Sequence, residues 1–258
     1  MPLDTIIHNR RWRRRVAPFA HIHGTDVLAP GAYAAIEAAF NEILQRGLSE
    51  TGEANRLSRR MNNYTAYNMS LGPQEKSALA LFTSRDWHDM VGGLFNTELT
   101  GEIDMSLHHH PAGSRGGWLH TDYSPGWFID NANADGIHLS SQEHGLYKTG
   151  RRTTNGAGRP WQRMRGIAML FYLCNPGWEA ADGGETGLYG SITDPVDRPA
   201  GRIPPLNNSI VLFECTPFSY HTFMGNPRRP RNAIVWWAHR DFDKAVQCWG
   251  KEKVSWWR

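Results

Sequence analysis

The chain has 258 residues, of which 40% are hydrophobic, and a formal net charge of +3. This length is sufficient for one sizeable core, so we expect a single domain over residues 1–258. The sequence shows neither a repeat of fixed period nor a long low-complexity tract, which excludes solenoid and linker-like proteins.

The three cysteines, Cys174, Cys215 and Cys248, are odd in number and widely spaced. This pattern supports neither a disulfide framework nor a CxxC zinc site, and it fits a reducing, cytoplasmic location. The N-terminal residues 1–16 lack the apolar core of an export signal, and no stretch reaches about 18 uninterrupted apolar residues. We therefore expect no membrane partner.

The first hundred residues are predicted to form a mostly helical support. Apolar residues recur at helical spacing in GAYAAIEAAFNEILQRG (31–47), with Pro30 and Gly47 as boundary signals. A second helical stretch is expected from about Gln74 to Phe95, with a break near Ser84.

After residue 100 the sequence pattern changes to short runs rich in β-branched and aromatic residues, separated by Gly, Pro and Asn. These runs are GIAMLFYLC (166–174), SIVLFEC (209–215), SYHTFM (219–224) and NAIVWWA (232–238). They predict an antiparallel sandwich or barrel within residues 101–240, followed by a C-terminal tail over 241–258.

A polar, Gly-rich segment from Tyr123 to about Arg163 interrupts this pattern. Long structureless loops in compact domains are often lids or binding loops, so we interpret the segment as a lid insertion. Its arginines favour a substrate that carries a carboxylate or a phosphate. The expected substrate contacts at the lid and the barrel mouth are Trp118, Tyr123, Trp127, Phe128, Arg151 and Arg152.

The triplet His120-Thr121-Asp122 is a candidate metal site, because residues two apart on a strand face the same side. Such a triplet arises by chance roughly once in a chain of this composition, and a second one is present at His239-Arg240-Asp241. Only the first is followed by another histidine, His221, in a predicted strand. Two imidazoles and one carboxylate on one face of a six-coordinate ion leave three positions open, as in non-haem iron oxygenases.

Arg231 begins the apolar run RNAIVWWA. A guanidinium buried in a mostly apolar barrel requires an anionic partner, since an unpaired buried charge is strongly unfavourable. A dicarboxylate co-substrate would supply that partner.

Over residues 165–240 the motifs RGIAMLFYLCNPGW, GGETGLY, NNSIVLFECTPFSYHTF and RNAIVWWAHR together resemble the iron(II)- and 2-oxoglutarate-dependent oxygenase superfamily, in its prolyl-4-hydroxylase-like branch. The resemblance implies a mainly β fold with N-terminal helices and a double-stranded β-helix core, of the jelly-roll or cupin-like kind. It also implies iron(II), 2-oxoglutarate and dioxygen as cofactor and co-substrates, with ascorbate as a supporting reductant.

By this resemblance, His120, Asp122 and His221 are the metal ligands and the catalytic residues. Arg231 pairs with the distal carboxylate of 2-oxoglutarate, and Tyr172 donates a hydrogen bond to the same group. The family often has a tyrosine ten residues before the first metal histidine, and His110 occupies that place here. His110 is therefore a further candidate for co-substrate contact.

Halogenating relatives have Gly or Ala where this chain has Asp122, so the resemblance implies hydroxylation or a related oxidation. The leading interpretation is a biosynthetic enzyme that oxidises a C–H bond of a small, anionic metabolite, such as an amino-acid or nucleotide derivative. A peptide prolyl hydroxylase would share the same residues. Two other classes remain open, a cupin-like protein using His21 and His23, and a nucleic-acid-binding protein using RRWRRR (10–15).

Overall fold

The computed structural model describes residues 3–53, 55–59, 65–140, 145–146, 151–152, 159–175 and 177–255, with 145–146 and 151–152 as backbone alone. The helices are α1 (Leu3–Ile6), α2 (Pro30–Gln45), α3 (Arg85–Phe95) and α4 (Phe242–Trp249), and 3-10 turns span Ala78–Thr83, Ala180–Asp182 and Lys251–Lys253. The strands are β1 (Arg13–Arg15), β2 (His21–Gly24), β3 (Leu48–Ser49), β4 (Leu57–Arg59), β5 (Tyr67–Ser70), β6 (Glu102–His110), β7 (Pro125–Phe128), β8 (His138–Leu139), β9 (Gly145–Leu146), β10 (Arg151–Arg152), β11 (Trp161–Tyr172), β12 (Thr186–Tyr189), β13 (Gly201–Ile203), β14 (Ser209–Glu214), β15 (Tyr220–Phe223) and β16 (Arg231–Asp241).

A large sheet with the order β1-β2-β14-β11-β16-β6-β5-β4-β3 forms the framework, and a small sheet with the order β13-β12-β15 lies apart from it. The chain alternates between them, because β11, β14 and β16 belong to the large sheet whereas β12, β13 and β15 belong to the small one. This alternation defines a double-stranded β-helix, so the predicted fold is confirmed.

The central strands of the large sheet are apolar on both faces. On β11, Ala168 and Tyr172 belong to one buried cluster together with Leu188 of the small sheet. The intervening residues Met169 and Phe171 belong to a second cluster. Successive side chains of a strand point to opposite faces, and a sheet covered on both sides needs apolar residues on each. The run GIAMLFYLC is therefore apolar at nearly every position, instead of alternating between apolar and polar residues.

Helices cover the face of the large sheet that is turned away from the small sheet. Helix α2 agrees with the predicted amphipathic segment. The second helical stretch does break at Ser84, as predicted. Ser84 has an extended backbone after the 3-10 turn Ala78–Thr83, and its hydroxyl caps α3 by accepting a hydrogen bond from the Trp87 amide. Phe82 packs against Phe171 of β11 with ring centroids 5.2 Å apart, which anchors these helices on the sheet.

The prediction of a mostly helical N-terminal part was incomplete, because β1 to β5 also lie there. All three residues of β1 are exposed, and it pairs only with β2 among the described residues. Such a short polar edge strand lacks the period-two apolar pattern by which strands are recognised.

The predicted lid is described only in part. Strand β7 pairs with the beginning of β11, and Asn133 donates to the Thr83 carbonyl, so the stretch up to about residue 140 packs against the barrel and the helices. Most of residues 141–158 lies outside the described part of the chain, and the lid interpretation of it stays a prediction. The predicted tail contains α4.

All three cysteines are free, as expected. Within the described ranges, no helix combines the length and the apolar character required to cross a bilayer.

Candidate active site

His120 and His221 face each other across an isolated antiparallel bridge. The His120 amide donates to the His221 carbonyl at 3.2 Å, the His221 amide donates to the His120 carbonyl at 3.0 Å, and the ring centroids are 4.5 Å apart. His221 belongs to β15, but no strand continues from His120 to Asp122, so the expectation of a strand for that triplet was wrong.

Asp122 completes the cluster. Its carboxylate oxygens lie 3.4 Å from Nε2 of His221 and 3.9 Å from Nε2 of His120. One ligand atom from each of the three residues lies within 4.8 Å of the others. The structure thus brings together the three residues that were predicted to bind the metal.

The hydrogen bonds of both imidazoles favour metal binding. Nδ1 of His120 donates to the Trp118 carbonyl at 2.8 Å, and Nδ1 of His221 donates to the Ser219 carbonyl at 3.0 Å. A carbonyl oxygen can only accept, so each neutral ring carries its hydrogen on Nδ1 and keeps the lone pair on Nε2. Metal-binding histidines are commonly oriented in this way, so these residues fit a divalent metal ion.

The electrostatic environment keeps the ligands in the forms that bind metals. Burial, reinforced by the neighbouring His221, lowers the pKa of His120 to about 4, which keeps the ring neutral at physiological pH. Burial alone would raise the pKa of Asp122, but His221 and the Arg165 guanidinium hold it well below its usual range. Two imidazoles, with His120 held neutral, and an ionised carboxylate suit iron(II).

Two residues that the sequence did not single out hold the Asp122 carboxylate. Nε1 of Trp237 donates to Oδ2 at 2.8 Å, and Nη1 of Arg165 approaches Oδ1 at 3.3 Å. The Arg165 guanidinium also lies 3.7 Å from the centre of the Trp237 ring and forms an ion pair with Asp104 at 3.5 Å. The available signal was a charged residue directly before the apolar run GIAMLFYLC (166–174).

The cluster opens into a cavity of about 100 Å³ between the two sheets. The residues around it are His108, Gly117, Trp118, His120, Asp122, Ala168, Leu170, Thr186, His221, Thr222, Phe223, Arg231, Val235 and Trp237.

Arg231 lies in this cavity as predicted, and only 3% of it is exposed. Its Nη2 donates to the Thr186 hydroxyl at 3.4 Å, and its guanidinium lies 5.1 Å from the centre of the Tyr172 ring. Its Nε has no hydrogen-bond partner, and within the described part of the chain no carboxylate lies within ion-pair distance of it. A buried cation without a protein anion fits an anionic ligand.

Tyr172 is fully buried beneath Arg231, and its hydroxyl is hydrogen-bonded to the Thr186 hydroxyl at 2.7 Å. Thr186 therefore lies between the tyrosine and the cavity. Thr186 was not among the residues predicted from the sequence, although it follows the GGE turn at the start of β12. The predicted direct contact of Tyr172 with the co-substrate stays a prediction.

His108, rather than His110, lines the cavity. His110 packs behind Phe223, with ring centroids 4.1 Å apart, and its Nδ1 donates to the Thr65 carbonyl. Nε2 of His108 is hydrogen-bonded to the Ser106 hydroxyl at 2.8 Å, and burial together with Arg231 lowers the pKa of His108 to about 3. A neutral imidazole therefore faces the cavity, two residues away from the predicted position.

Among the expected substrate contacts, Trp118 lines the cavity, with 38% of its surface exposed. Tyr123 and Phe128 do not reach the cavity, and this corrects the expectation for both. Tyr123 is fully buried and donates to the Ala245 carbonyl of α4, and Phe128 is fully buried against the edge of His239.

The remaining expected contacts are not brought to the site. Trp127 lies in β7, opposite Gln162, and does not line the cavity. The side chains of Arg151 and Arg152 lie outside the described residues.

The second triplet has a structural role. His239 is buried and donates to the Glu102 carbonyl, Arg240 forms an ion pair with Glu214, and the Asp241 carboxylate caps α4. Across the described ranges, the group of His120, Asp122 and His221 is the one set of three potential ligands close enough to hold a metal ion. The cupin-like alternative therefore has no third ligand for His21 and His23 there.

The fold and the ligand set together define a double-stranded β-helix protein with a metal site of two histidines and one carboxylate. The sequence pattern of the 2OG-Fe(II) oxygenase superfamily matches residues 144–239. No curated protein sequence matches the chain significantly.

Solved structures of the same fold include a Pseudomonas putida prolyl-4-hydroxylase (15% identity, 85% of this chain and 92% of that chain covered, TM-score 0.53). They also include a Trichoplax adhaerens prolyl hydroxylase in complex with a peptide fragment of hypoxia inducible factor (17% identity, 88% and 86% covered, TM-score 0.53). A third is SnoN, a non-heme alpha ketoglutarate dependent epimerase from nogalamycin biosynthesis (11% identity, 86% and 77% covered, TM-score 0.51).

The predicted resemblance is thus confirmed: residues 144–239 have the sequence pattern of the 2OG-Fe(II) oxygenases, and the fold is that of the prolyl-hydroxylase-like members. The family whose pattern matches these residues consists of oxygenases that use iron(II) and 2-oxoglutarate.

Proposed function

We propose that this protein is an iron(II)- and 2-oxoglutarate-dependent dioxygenase that hydroxylates, or otherwise oxidises, an unactivated C–H bond of a small anionic metabolite. An amino-acid or nucleotide derivative would have the required character. The observation that carries the proposal is that Arg231, buried and without a carboxylate partner among the described residues, shares one cavity with the group of His120, Asp122 and His221.

His120, Asp122 and His221 would hold the iron(II), and Arg231 with Thr186 would bind the distal carboxylate of 2-oxoglutarate. When bound, the metal and the co-substrate supply the activation of dioxygen. The side chains of this protein bind and orient the co-substrate and the substrate, and they exclude water. Ala168, Leu170 and Val235 make one wall of the cavity apolar, which strengthens the attraction between Arg231 and a carboxylate.

His108 offers a neutral imidazole to the same cavity. Because it stays uncharged, it can accept or donate a hydrogen bond without adding a second positive charge beside Arg231. We assign it to the binding of the co-substrate or the substrate, in place of His110.

Asp122 favours oxidation over halogenation. With a metal bound, its carboxylate would occupy the position that a halide needs, and the bonds from Trp237 and Arg165 hold the carboxylate in place. We therefore propose hydroxylation, or a desaturation or ring closure, as the reaction.

A peptide prolyl hydroxylase is the second candidate. It is favoured by the exposed ring of Trp118 beside His120 at the edge of the cavity, where an extended chain could lie, and by the shared fold with a peptide-bound prolyl hydroxylase.

The test is to incubate the protein with iron(II), ascorbate and 2-oxoglutarate, together with either metabolite extracts or proline-containing peptides. Mass spectrometry should find succinate and a product that has gained one oxygen or lost two hydrogens. The Asp122→Ala variant should produce neither, and an Arg228→Met variant, altered at an exposed loop arginine, should produce both. Full activity of Asp122→Ala would refute the proposed function.

A further inference from the structure

We propose that Trp237 and Arg165 are positioning residues that fix Asp122 in the orientation required of a metal ligand. This inference rests on the proposed function, since it assumes that Asp122 binds the metal. The two donors hold different oxygens of one carboxylate, Trp237 at 2.8 Å and Arg165 at 3.3 Å.

Asp122 needs such support more than the two histidines do. Each histidine is oriented by a bond from Nδ1 to a carbonyl two residues before it, and both belong to the same backbone bridge. Asp122 has neither a local bond of this kind nor a place in the bridge, because it lies in an irregular segment after the bridge. Its carboxylate is held instead by side chains from β11 and β16, the two central strands of the large sheet.

A β-bulge directs Arg165 toward the site. Ala168, Leu170 and Tyr172 of β11 point to the small sheet, so strict alternation would point the odd-numbered Arg165 to the opposite face. The register between β11 and β16 shifts between Arg165 and Ile167, which inserts one extra residue at Gly166. Bulges re-aim side chains and are frequent beside active sites.

Gly166 suits this bulge because a larger residue would be crowded there. Its Cβ would lie 3.0 Å from Cδ2 of Leu99 and 3.3 Å from the Ala238 carbonyl oxygen, closer than ordinary van der Waals contact.

Arg165 also has a balanced electrostatic environment. A guanidinium close to a metal ligand opposes the binding of a cation, because like charges repel over this distance. Asp104, paired with Arg165 on its other side, offsets that charge, and Asp104 is in turn fixed by the Ser140 hydroxyl at 2.7 Å. Asp104 thus reduces the cost that Arg165 imposes on cation binding, while the bond from Arg165 to Asp122 still sets the direction of the carboxylate.

The experiment measures metal binding rather than turnover, with cobalt(II) as the probe. Cobalt(II) is titrated into the metal-free protein, and both the dissociation constant and the visible absorption spectrum of the bound ion are recorded. Trp237→Phe removes the donor and keeps an aromatic ring. The double variant Arg165→Met with Asp104→Asn removes both charges together, so that the local net charge is unchanged.

Loss of residues that orient metal ligands typically weakens metal binding by about 10- to 100-fold. We expect a rise of about tenfold in the dissociation constant for Trp237→Phe, and a rise within that range for the double variant. The spectrum of bound cobalt(II) should change in both, because the ligand geometry becomes less uniform.

Arg240→Met is the matched control. Arg240 is a buried arginine that pairs with Glu214 at 2.8 Å and stacks on Trp249 at 4.5 Å, as Arg165 does with Asp104 and Trp237. Its bonds go to Glu214 and to backbone carbonyls, so this variant should keep the affinity and the spectrum of the wild type.

Two outcomes would overturn the inference, and only the second would also overturn the proposed function. If Trp237→Phe, folded by circular dichroism, binds cobalt(II) with wild-type affinity and spectrum, Trp237 does not position Asp122, while the proposed function stands. If the wild-type protein itself fails to bind cobalt(II), the metal site and the proposed function fall together.

Discussion

Arg231 and Thr186 meet at the inner end of the cavity, where the guanidinium donates to the threonine hydroxyl at 3.4 Å. The same hydroxyl is hydrogen-bonded to Tyr172. These three side chains come from β16, β12 and β11, so both sheets contribute. The result is a fixed cationic site of the kind that a carboxylate fills.

Replacing Arg231 by methionine should abolish most of the affinity for 2-oxoglutarate. Removing one partner of a buried charge pair costs about 2–5 kcal/mol, which corresponds to a dissociation constant at least about thirtyfold higher. Isothermal titration calorimetry of the manganese(II)-loaded protein, without oxygen, would measure this. Arg228→Met, at an exposed arginine of the loop that precedes β16, is the control. Equal affinities of the two variants would contradict the assignment.

The Thr186 hydroxyl should contribute to the same binding on a smaller scale. Thr186→Val keeps the shape and removes the hydroxyl, and Tyr172→Phe removes only the partner behind it. A hydrogen bond contributes about 0.5–1.5 kcal/mol, so each variant should weaken 2-oxoglutarate binding by about two- to tenfold. The double variant should lose less than the sum of the two if the hydroxyls act through one bonded chain. Strictly additive losses in the same calorimetric measurement would argue against that chain.

The sequence predicted the candidate site residues whose side chains have conspicuous chemistry. His120, Asp122, His221 and Arg231 were identified because two imidazoles, a carboxylate and a strand-borne arginine are unusual in an apolar barrel, and because their order resembled a family. The strands β11, β14, β15 and β16 were recognised from their β-branched and aromatic runs. These features are local in the chain.

The residues that the sequence missed depend on pairing between distant strands. Arg165 reaches Asp122 because of a bulge in the register between β11 and β16, and Thr186 reaches Arg231 because β12 lies across the cavity. His108, not His110, lines the cavity for a similar reason, since Phe223 of β15 covers His110. Neither a bulge nor a packing partner is visible in a single sequence, and the same limit explains the misplaced Tyr123.

The contact between the helices and the large sheet predicts a large loss of stability for Phe171→Ala. Phe171 is fully buried and packs against Phe82 and Tyr33, with ring centroids 5.2 and 6.4 Å away. Removing a buried phenylalanine side chain costs about 3–5 kcal/mol, because apolar contacts are lost and a cavity remains. Urea denaturation would measure this cost.

The control for Phe171→Ala is Val16→Ala. Val16 is 80% exposed, so this variant should change the free energy of unfolding by less than about 0.5 kcal/mol. Similar losses in both variants would show that the helices do not depend on Phe171 for their attachment.

The free energy of unfolding should also fall in acid, and His239 should account for part of that fall. Burial, with the nearby Arg165 guanidinium, lowers the pKa of His239 to about 3 in the folded protein, whereas an unfolded histidine has a pKa of about 6.5. Below pH 6.5 the unfolded chain therefore binds a proton that the folded chain does not, so stability is complete above that pH and is lost toward pH 3. The His239→Asn variant keeps a donor for the Glu102 carbonyl, and its free energy of unfolding should fall by about 2 kcal/mol less than that of the wild type between pH 7.5 and 5.

Urea denaturation at the two pH values measures this difference. The control is His8→Asn, at an exposed position, which should behave as the wild type does. An unchanged pH dependence in His239→Asn would mean that the ring is already protonated in the folded protein at pH 5.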